Sequence, residues 1–156
     1  MKKYFKMSFI IPKIKKSYQR DNYSCGVHSV KSIVDYCGKH YSLKYIKKML
    51  KTTPDKGTNQ TAIEKFFKRK NISYKINTYA SLRDIEKELK ATHPVLVALD
   101  ECEHWVVIVG FSKTCLYILD SSNYIINKRI SKQKFLKYWD RWIMSVKANA
   151  VPIINL

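Results

Sequence analysis

The chain has 156 residues, enough for a domain with a buried core, and we expect residues 1–156 to form a single domain. Hydrophobic residues make up 46% of the chain, with only 4 Gly and 4 Pro, which excludes a disordered or collagen-like protein. The formal net charge of +18 suits an acidic peptide, a nucleic acid or an anionic membrane surface as partner, and chooses none of them. Because the lysines are spread along the chain without a long run, a general preference for lysine explains the charge equally well.

The first residues and the apolar runs indicate where in the cell the protein is located. The chain starts with a basic segment, but Pro12 and several lysines interrupt its short apolar run, and no signal-peptide cleavage site follows. The longest apolar stretch elsewhere, residues 105–111, is too short to cross a bilayer. We therefore expect a cytoplasmic protein whose four cysteines are reduced, while export by another route and peripheral contact with an anionic surface stay open.

Four helical patterns follow a short strand candidate, "FIIP", in the first half of the chain. Apolar residues at helical spacing predict a first helix that begins at or beside Cys25 and stops at Gly38. Ser42 is suited to cap the second helix, and Ser81 with Asp84 forms a capping-box pattern at the fourth. The third helix is marked by its apolar residues: Ala62, Ile63, Phe66 and Phe67.

The second half of the chain has the pattern of a sheet. Runs of β-branched and apolar residues separated by short polar breaks predict three neighbouring antiparallel strands: 94–100, 104–111 and 115–120. A further strand is expected at 127–130 and a closing one at "WIMSVKA", with Ser131 capping a short helix between them. This order predicts an α+β domain in which N-terminal helices pack on a C-terminal antiparallel sheet.

Cys25 is the first candidate for chemistry. The start of a helix carries partial positive charge and unpaired amides, which favour the thiolate form of a cysteine placed there. Gly26 is expected to leave room beside the sulfur for a substrate carbonyl. A lone cysteine in such a place is more often structural, because free cysteine is among the most buried residue types. The interpretation of Cys25 as a nucleophile therefore depends on its partners.

His104 and Asp120 are the candidate partners. His104 opens one predicted strand after the polar break "DECE", and Asp120 closes the next strand. A hairpin that turns near Lys113 pairs residue 106 with residue 120, so that His104 and Asp120 share a face of the sheet. A slip of one residue would separate them, because strand faces alternate. In the right register the acid orients an imidazole that can take the proton of the Cys25 thiol.

Gln19, six residues before Cys25, carries an amide suited to bond the oxyanion of a tetrahedral intermediate. Five segments of the chain together resemble the C39 peptidases, the bacteriocin-processing branch of the papain-like cysteine proteases: "QRDNYSCGV", "YCGKHYSL", "EHWVVIVG", "YILDSS" and "FLKYWDRW". The resemblance implies a papain-like cysteine protease fold with Cys25 as nucleophile, His104 as general base and acid, Asp120 as orienting residue and Gln19 as oxyanion donor.

The resemblance also implies a substrate. In that family the domain cleaves leader peptides after a pair of small residues, usually Gly-Gly, and is commonly fused to a peptide-exporting ABC transporter. This chain departs from the family pattern at Ser24, where an aspartate is usual, and at "SSN" after Asp120, where a Pro-containing turn is usual. No transporter region follows, so we expect a stand-alone cysteine peptidase that acts on a peptide or small protein with a Gly-Gly-type site. Its oligomeric state is left open.

Three other interpretations remain. Cys25, His28, Cys102 and His104 are ligands that zinc accepts, although the Cys-x-His spacing is poor for a structural zinc site. A basic nucleic-acid-binding module fits the charge and the tyrosines, but no motif of such a module is present. A catalytically weak, peptide-binding form of the same fold is the third. The intact set of Cys, His, Asp and Gln favours a working peptidase, and we expect no cofactor, no metal and no nucleic acid.

Overall fold

The computed structural model describes residues 8–100, 103–122 and 128–148. In these ranges the chain forms five helices and a seven-stranded sheet, in the order β1 (Phe9–Ile10), α1 (Cys25–Tyr36), α2 (Leu43–Leu50), α3 (Gln60–Arg69), β2 (Tyr74–Asn77), α4 (Leu82–Lys90), β3 (Val95–Leu99), β4 (His104–Phe111), β5 (Cys115–Leu119), β6 (Arg129–Ser131), α5 (Lys132–Tyr138) and β7 (Ile143–Val146). The described strands pair antiparallel throughout, so the predicted α+β arrangement is confirmed.

The helix boundaries follow the local capping residues. Ser42 and Ser131 each accept a hydrogen bond from the amide three residues on, and Ser81 forms the predicted reciprocal capping box with Asp84. Gly38 has a φ of +76°, the left-handed conformation that ends α1, as its place in the sequence predicts. Asn59 caps α3 by accepting a hydrogen bond from the Thr61 amide.

The sheet has the strand order β2-β7-β3-β4-β5-β6, and β1 pairs with β4 outside this path. The strand β2 lies between two helices in the sequence and was not predicted, because it is short, partly polar and pairs with β7 about seventy residues later. The strand expected at 127–130 is found from Arg129 to Ser131, and Asn127 itself lies outside the described residues.

The core lies on both faces of the sheet. One cluster joins α1, α2 and α3 to one face, and the other joins α4 and α5 to the opposite face. All five residues of β3 are buried, and so are seven of the eight in β4. Strands covered on both faces lack the alternation of a half-exposed strand, which explains why these two segments are continuously apolar in the sequence.

The hairpin of β4 and β5 positions the candidate site. Val107 lies opposite Leu119, in step with the predicted pairing of residues 106 and 120. The register shifts by one residue between Ile108 and Gly110, where a β-bulge interrupts the ladder. The ends of β4 and β5 farthest from the turn therefore carry His104 and Asp120 side by side.

No helix in the described ranges is long and apolar enough to cross a membrane. Three of the four cysteines fall within those ranges, Cys25, Cys37 and Cys115, and each has a free thiol. Burial raises the pKa of the Cys37 thiol to about 11, although nearby Lys39 opposes the shift. Cys37 is therefore a thiol, not a thiolate, at neutral pH.

Candidate active site

The loop before α1 is organised by Asp21. Its carboxylate accepts hydrogen bonds from the backbone amides of Tyr23 (3.0 Å) and Ser24 (2.8 Å). Desolvation opposes ionisation of this carboxyl, but these amide bonds, contact with Ser24 and the charge of Lys47 outweigh it and lower the pKa. Asp21 thus fixes the chain direction at the point where it enters α1.

The positive N-terminal end of α1 is not capped by the N-cap side chain. Ser24 occupies the N-cap position, but its side chain makes no capping hydrogen bond, and the first turn contains no acidic residue. Unpaired amides at a helix start attract negative charge, here at the sulfur of Cys25 and at any anion beside it.

Cys25 is buried, with 6% of its surface exposed, and its sulfur accepts a hydrogen bond from the Trp105 amide at 3.5 Å. Gly26 does not leave the space expected from the sequence. A Cβ at that position would lie 2.5 Å from the Cβ of Thr58, so the glycine is needed because Thr58 packs directly against it. The Thr58 carbonyl also accepts a hydrogen bond from the Trp105 indole at 3.0 Å, which links this loop to β4 beside the sulfur.

His104 connects Cys25 with Asp120. Its Nε2 is 2.9 Å from Oδ1 of Asp120, and the ring also bonds the Cys25 sulfur. Burial by itself lowers the pKa of His104, but the hydrogen bonds and Coulombic attraction of Asp120 and Cys25 outweigh it and raise the pKa to about 9. The ring is therefore an imidazolium at neutral pH, placed between two groups that can carry negative charge.

Asp120 is held in place by its own turn. The side chain is 2% exposed, and besides His104 its Oδ1 accepts hydrogen bonds from the backbone amide (3.0 Å) and the hydroxyl (2.7 Å) of Ser122. Three donors on one oxygen fix the carboxylate, which in turn fixes the imidazole ring.

Gln19 is tied to the same strand end through Ser121. The backbone amide of Gln19 donates to the Ser121 carbonyl (3.0 Å), and the Ser121 hydroxyl donates to Gln19 Oε1 (2.6 Å). On the other side, Gln19 Nε2 donates to the carbonyl of Asp21 (2.7 Å). An amide nitrogen carries two hydrogens, so this arrangement leaves Gln19 one further donor.

The structure therefore joins three of the four residues singled out in the sequence into one hydrogen-bonded set, Cys25, His104 and Asp120, and it bonds the fourth, Gln19, to Ser121, the residue that follows Asp120 in the chain. The sequence interpretation missed the residues that hold them, Asp21, Thr58 and Ser122. Asp21 has a sequence signal, since an aspartate in a loop often accepts a hydrogen bond from the amide two residues on, which forms an Asx turn. Thr58 has none, because its contact with Gly26 depends on the fold.

One of the four ligands in the zinc interpretation, His28, has another partner in the structure. His28 is 7% exposed, its Nδ1 bonds the Ser17 hydroxyl at 2.6 Å, and burial lowers its pKa. This contact attaches the segment before Gln19 to α1. No group of three or more His, Cys, Asp or Glu side chains suited to a metal is found in residues 8–100, 103–122 and 128–148, while Cys102 lies outside those ranges.

The fold and this arrangement define a class, the papain-like cysteine proteases, in which a helix presents the cysteine and a sheet presents the histidine. The Peptidase C39 family model matches residues 13–150, and the chain belongs to that family. No curated protein matches the chain in sequence.

Solved structures show the same fold. The peptidase domain of Streptococcus ComA, a bifunctional ABC transporter involved in quorum sensing, is 22% identical, with a TM-score of 0.74 over 87% of this chain and 99% of that one. A double-glycine motif protease from an AMS/PCAT transporter, in complex with its leader peptide, is 18% identical, with a TM-score of 0.71 over 90% and 95%. A C39-like peptidase from Bacillus anthracis is 17% identical, with a TM-score of 0.72 over 91% and 98%.

Proposed function

We propose that this protein is a cysteine peptidase that cleaves a peptide bond after small residues of the Gly-Gly type. The observation that carries the proposal is the position of His104, which bonds Asp120 through Nε2 and the Cys25 sulfur as well. A buried imidazole with a carboxylate on one side and a thiol at a helix start on the other is the arrangement that nucleophilic acyl transfer needs.

In the proposed reaction the Cys25 thiolate attacks the carbonyl carbon of the substrate, a C–S bond forms, and the carbonyl oxygen becomes an oxyanion. The Cys25 amide at the open start of α1 and the free N–H of Gln19 stabilise that charge. As the tetrahedral intermediate collapses, the C–N bond breaks and the His104 imidazolium gives its proton to the leaving amine. Water then attacks the thioester, His104 accepts a proton from it, and the products are a carboxylate and the regenerated thiolate.

Two observations support a preference for small residues. Thr58 packs against Gly26, and the backbone amide of Trp105 bonds the Cys25 sulfur, so two neighbouring residues narrow the space around the nucleophile. The similar structure of a double-glycine motif protease was obtained with its leader peptide, which is a substrate of this type.

The test is cleavage of synthetic peptides that contain a Gly-Gly site, followed by mass spectrometry, with wild-type protein and Cys25→Ala side by side. We expect a single cut after the second glycine with wild type and none with the variant. Matched peptides with Val-Val in place of Gly-Gly should be cut much more slowly. Binding of the Gly-Gly peptide without any cleavage would favour a peptide-binding module and overturn the proposal.

A further inference from the structure

The segment that leads to Gln19 is attached to α1 by two side chains of that helix. Nδ1 of His28 lies 2.6 Å from the hydroxyl oxygen of Ser17, and the Ser17 amide donates a hydrogen bond to the Ser32 hydroxyl at 3.1 Å. His28 and Ser32 are four residues apart in α1, so they lie on the same face of the helix. Both are buried, at 7% and 4% exposure. Ser17 is therefore held at its side chain and at its backbone, two residues before Gln19.

His28 contributes a ring nitrogen as well as packing. Burial lowers the pKa of His28, although the charge of Asp21 opposes the shift, so the ring is neutral at neutral pH. A neutral imidazole has one nitrogen that donates and one that accepts, and a serine hydroxyl can bond to either. An apolar side chain would fill the same buried space but would leave the Ser17 hydroxyl without this bond.

The helix that anchors this segment also carries the nucleophile. Cys25 lies in the first turn of α1, and His28 follows three residues later, so one rigid element joins the sulfur to the anchor of Ser17. From Ser17 the chain is two residues from Gln19, whose amide donates to the Ser121 carbonyl at 3.0 Å. An oxyanion donor is effective only when it lies at hydrogen-bond distance from the developing charge. The position of Gln19 relative to the sulfur therefore depends on His28.

We propose that His28 is a positioning residue, which acts through Ser17 to hold the Gln19 amide where the oxyanion forms. This role rests on the proposed peptidase function, because an oxyanion forms only if Cys25 attacks a carbonyl. The charge on that oxygen develops only as the bond to sulfur forms. Loss of the His28 contact should therefore lower kcat and leave KM nearly unchanged.

Four variants separate the hydrogen bond from packing. His28→Leu removes the bond, His28→Asn keeps a polar atom near the position of Nδ1, and Ser17→Ala removes the hydroxyl without changing α1. The control, His93→Leu, removes a histidine bond outside the candidate active site, since Nδ1 of His93 lies 2.8 Å from Oε2 of Glu88.

The first measurement is kcat on a Gly-Gly peptide. It should fall about tenfold in His28→Leu and in Ser17→Ala, and stay within about threefold of wild type in His28→Asn and about twofold in the control. In a Gln19→Ala background His28→Leu should cause no further loss, because the donor that it positions is absent. Ser17→Ala alone gives the same test if His28→Leu does not fold.

Two reagents then distinguish placement of the donor from support of the nucleophile. With a peptide aldehyde that ends in Gly-Gly, the thiolate of Cys25 forms a C–S bond to the aldehyde carbon. The C=O π pair moves to the oxygen, which lies where the oxyanion forms. Iodoacetamide alkylates the same sulfur by displacing iodide and builds no oxyanion. His28→Leu should weaken aldehyde inhibition about tenfold and change the rate of Cys25 alkylation by less than about twofold.

Unchanged kcat in His28→Leu and Ser17→Ala would overturn the inference. So would equal losses in aldehyde inhibition and alkylation, because His28 would then support the nucleophile or the fold as a whole. If wild type neither cleaves the peptide nor binds the aldehyde, the peptidase proposal fails and the positioning role fails with it. If wild type does both and the variants match it, only the positioning role fails.

Discussion

Oδ1 of Asp120 lies 2.9 Å from Nε2 of His104, and the same oxygen accepts two hydrogen bonds from Ser122. One carboxylate oxygen thus contacts both the imidazole and its own turn, an arrangement suited to holding the ring in one orientation.

This geometry separates the effects of substitution at the two residues. His104→Ala removes both proton transfers and should be as inactive as Cys25→Ala. Asp120→Ala leaves a ring that spends less time in the productive orientation, and it should retain roughly fifty- to a hundredfold more activity than His104→Ala. The measurement is kcat/KM on a Gly-Gly peptide. Full activity of Asp120→Ala would contradict the orienting role.

The pKa of about 9 at His104 predicts the alkaline limit of activity. The imidazolium that protonates the leaving amine is present below this pH, so kcat/KM should fall as the pH rises through about 9. Asp120→Asn removes one of the groups that raise the pKa, and the alkaline limb should move towards the ordinary histidine value of 6.5. A pH profile of both proteins checks this, and an unchanged limb in Asp120→Asn would refute the assignment.

The same pKa predicts how stability depends on pH. Because the folded-state pKa of His104 lies above 6.5, the stabilisation by its partners is complete below about pH 6.5 and is lost as the pH rises to about 9. The loss should be roughly 3 kcal/mol in the free energy of unfolding, since one pKa unit is worth about 1.4 kcal/mol. Urea denaturation of wild type and His104→Gln at several pH values measures this loss. The free energy of unfolding of wild type should fall over this pH range, and that of the variant should lack this fall.

The hairpin shows how far the sequence determines the site. The symmetric turn at Lys113 that the sequence predicts gives the correct register at His104 and Asp120. The observed turn is tighter than the predicted one, since the Ser112 amide donates a hydrogen bond to the Cys115 carbonyl. A β-bulge between Ile108 and Gly110 compensates for the difference. The bulge lies where β1 pairs with β4, and a Cβ on Gly110 would be 2.4 Å from the Phe9 carbonyl oxygen. A glycine inside a strand is the only local sign of this contact.

Helix caps and apolar strands were predictable because each depends on neighbouring residues. The strand β2 was not predictable, because its partner strand β7 is distant in sequence. Gly38 was predictable as the end of a helix, whereas the contact of Gly26 with Thr58 depends on the fold.

These two glycines give a stability prediction. Gly26→Ala forces a Cβ into Thr58 and should lower the free energy of unfolding by about 1 to 3 kcal/mol and reduce activity, because the strain falls beside Cys25. Gly38→Ala meets no atom within 4 Å, and its φ of +76° should cost about 1 kcal/mol with kcat/KM unchanged. Thermal melting and kinetics of both variants make the comparison, and normal activity in a destabilised Gly26→Ala would contradict it.

Substitution of Ser121 tests the proposed role of Gln19 as oxyanion donor. Ser121→Ala removes the hydroxyl that orients the Gln19 amide. It should lower kcat about tenfold with little change in KM, against roughly a hundredfold for Gln19→Ala. The double variant should be no worse than Gln19→Ala, because the two residues act on one donor. Additive losses would mean that Ser121 acts on something other than Gln19.

Alkylation by iodoacetamide at neutral pH tests most directly whether Cys25 is a nucleophile activated by His104. Peptide mapping over time should show Cys25 modified first, with activity lost in proportion, and Cys37 last, since its pKa is raised to about 11. His104→Ala should slow the modification of Cys25 without affecting the other cysteines. Earlier modification of Cys102 or Cys115, or activity that persists after Cys25 is alkylated, would contradict the account.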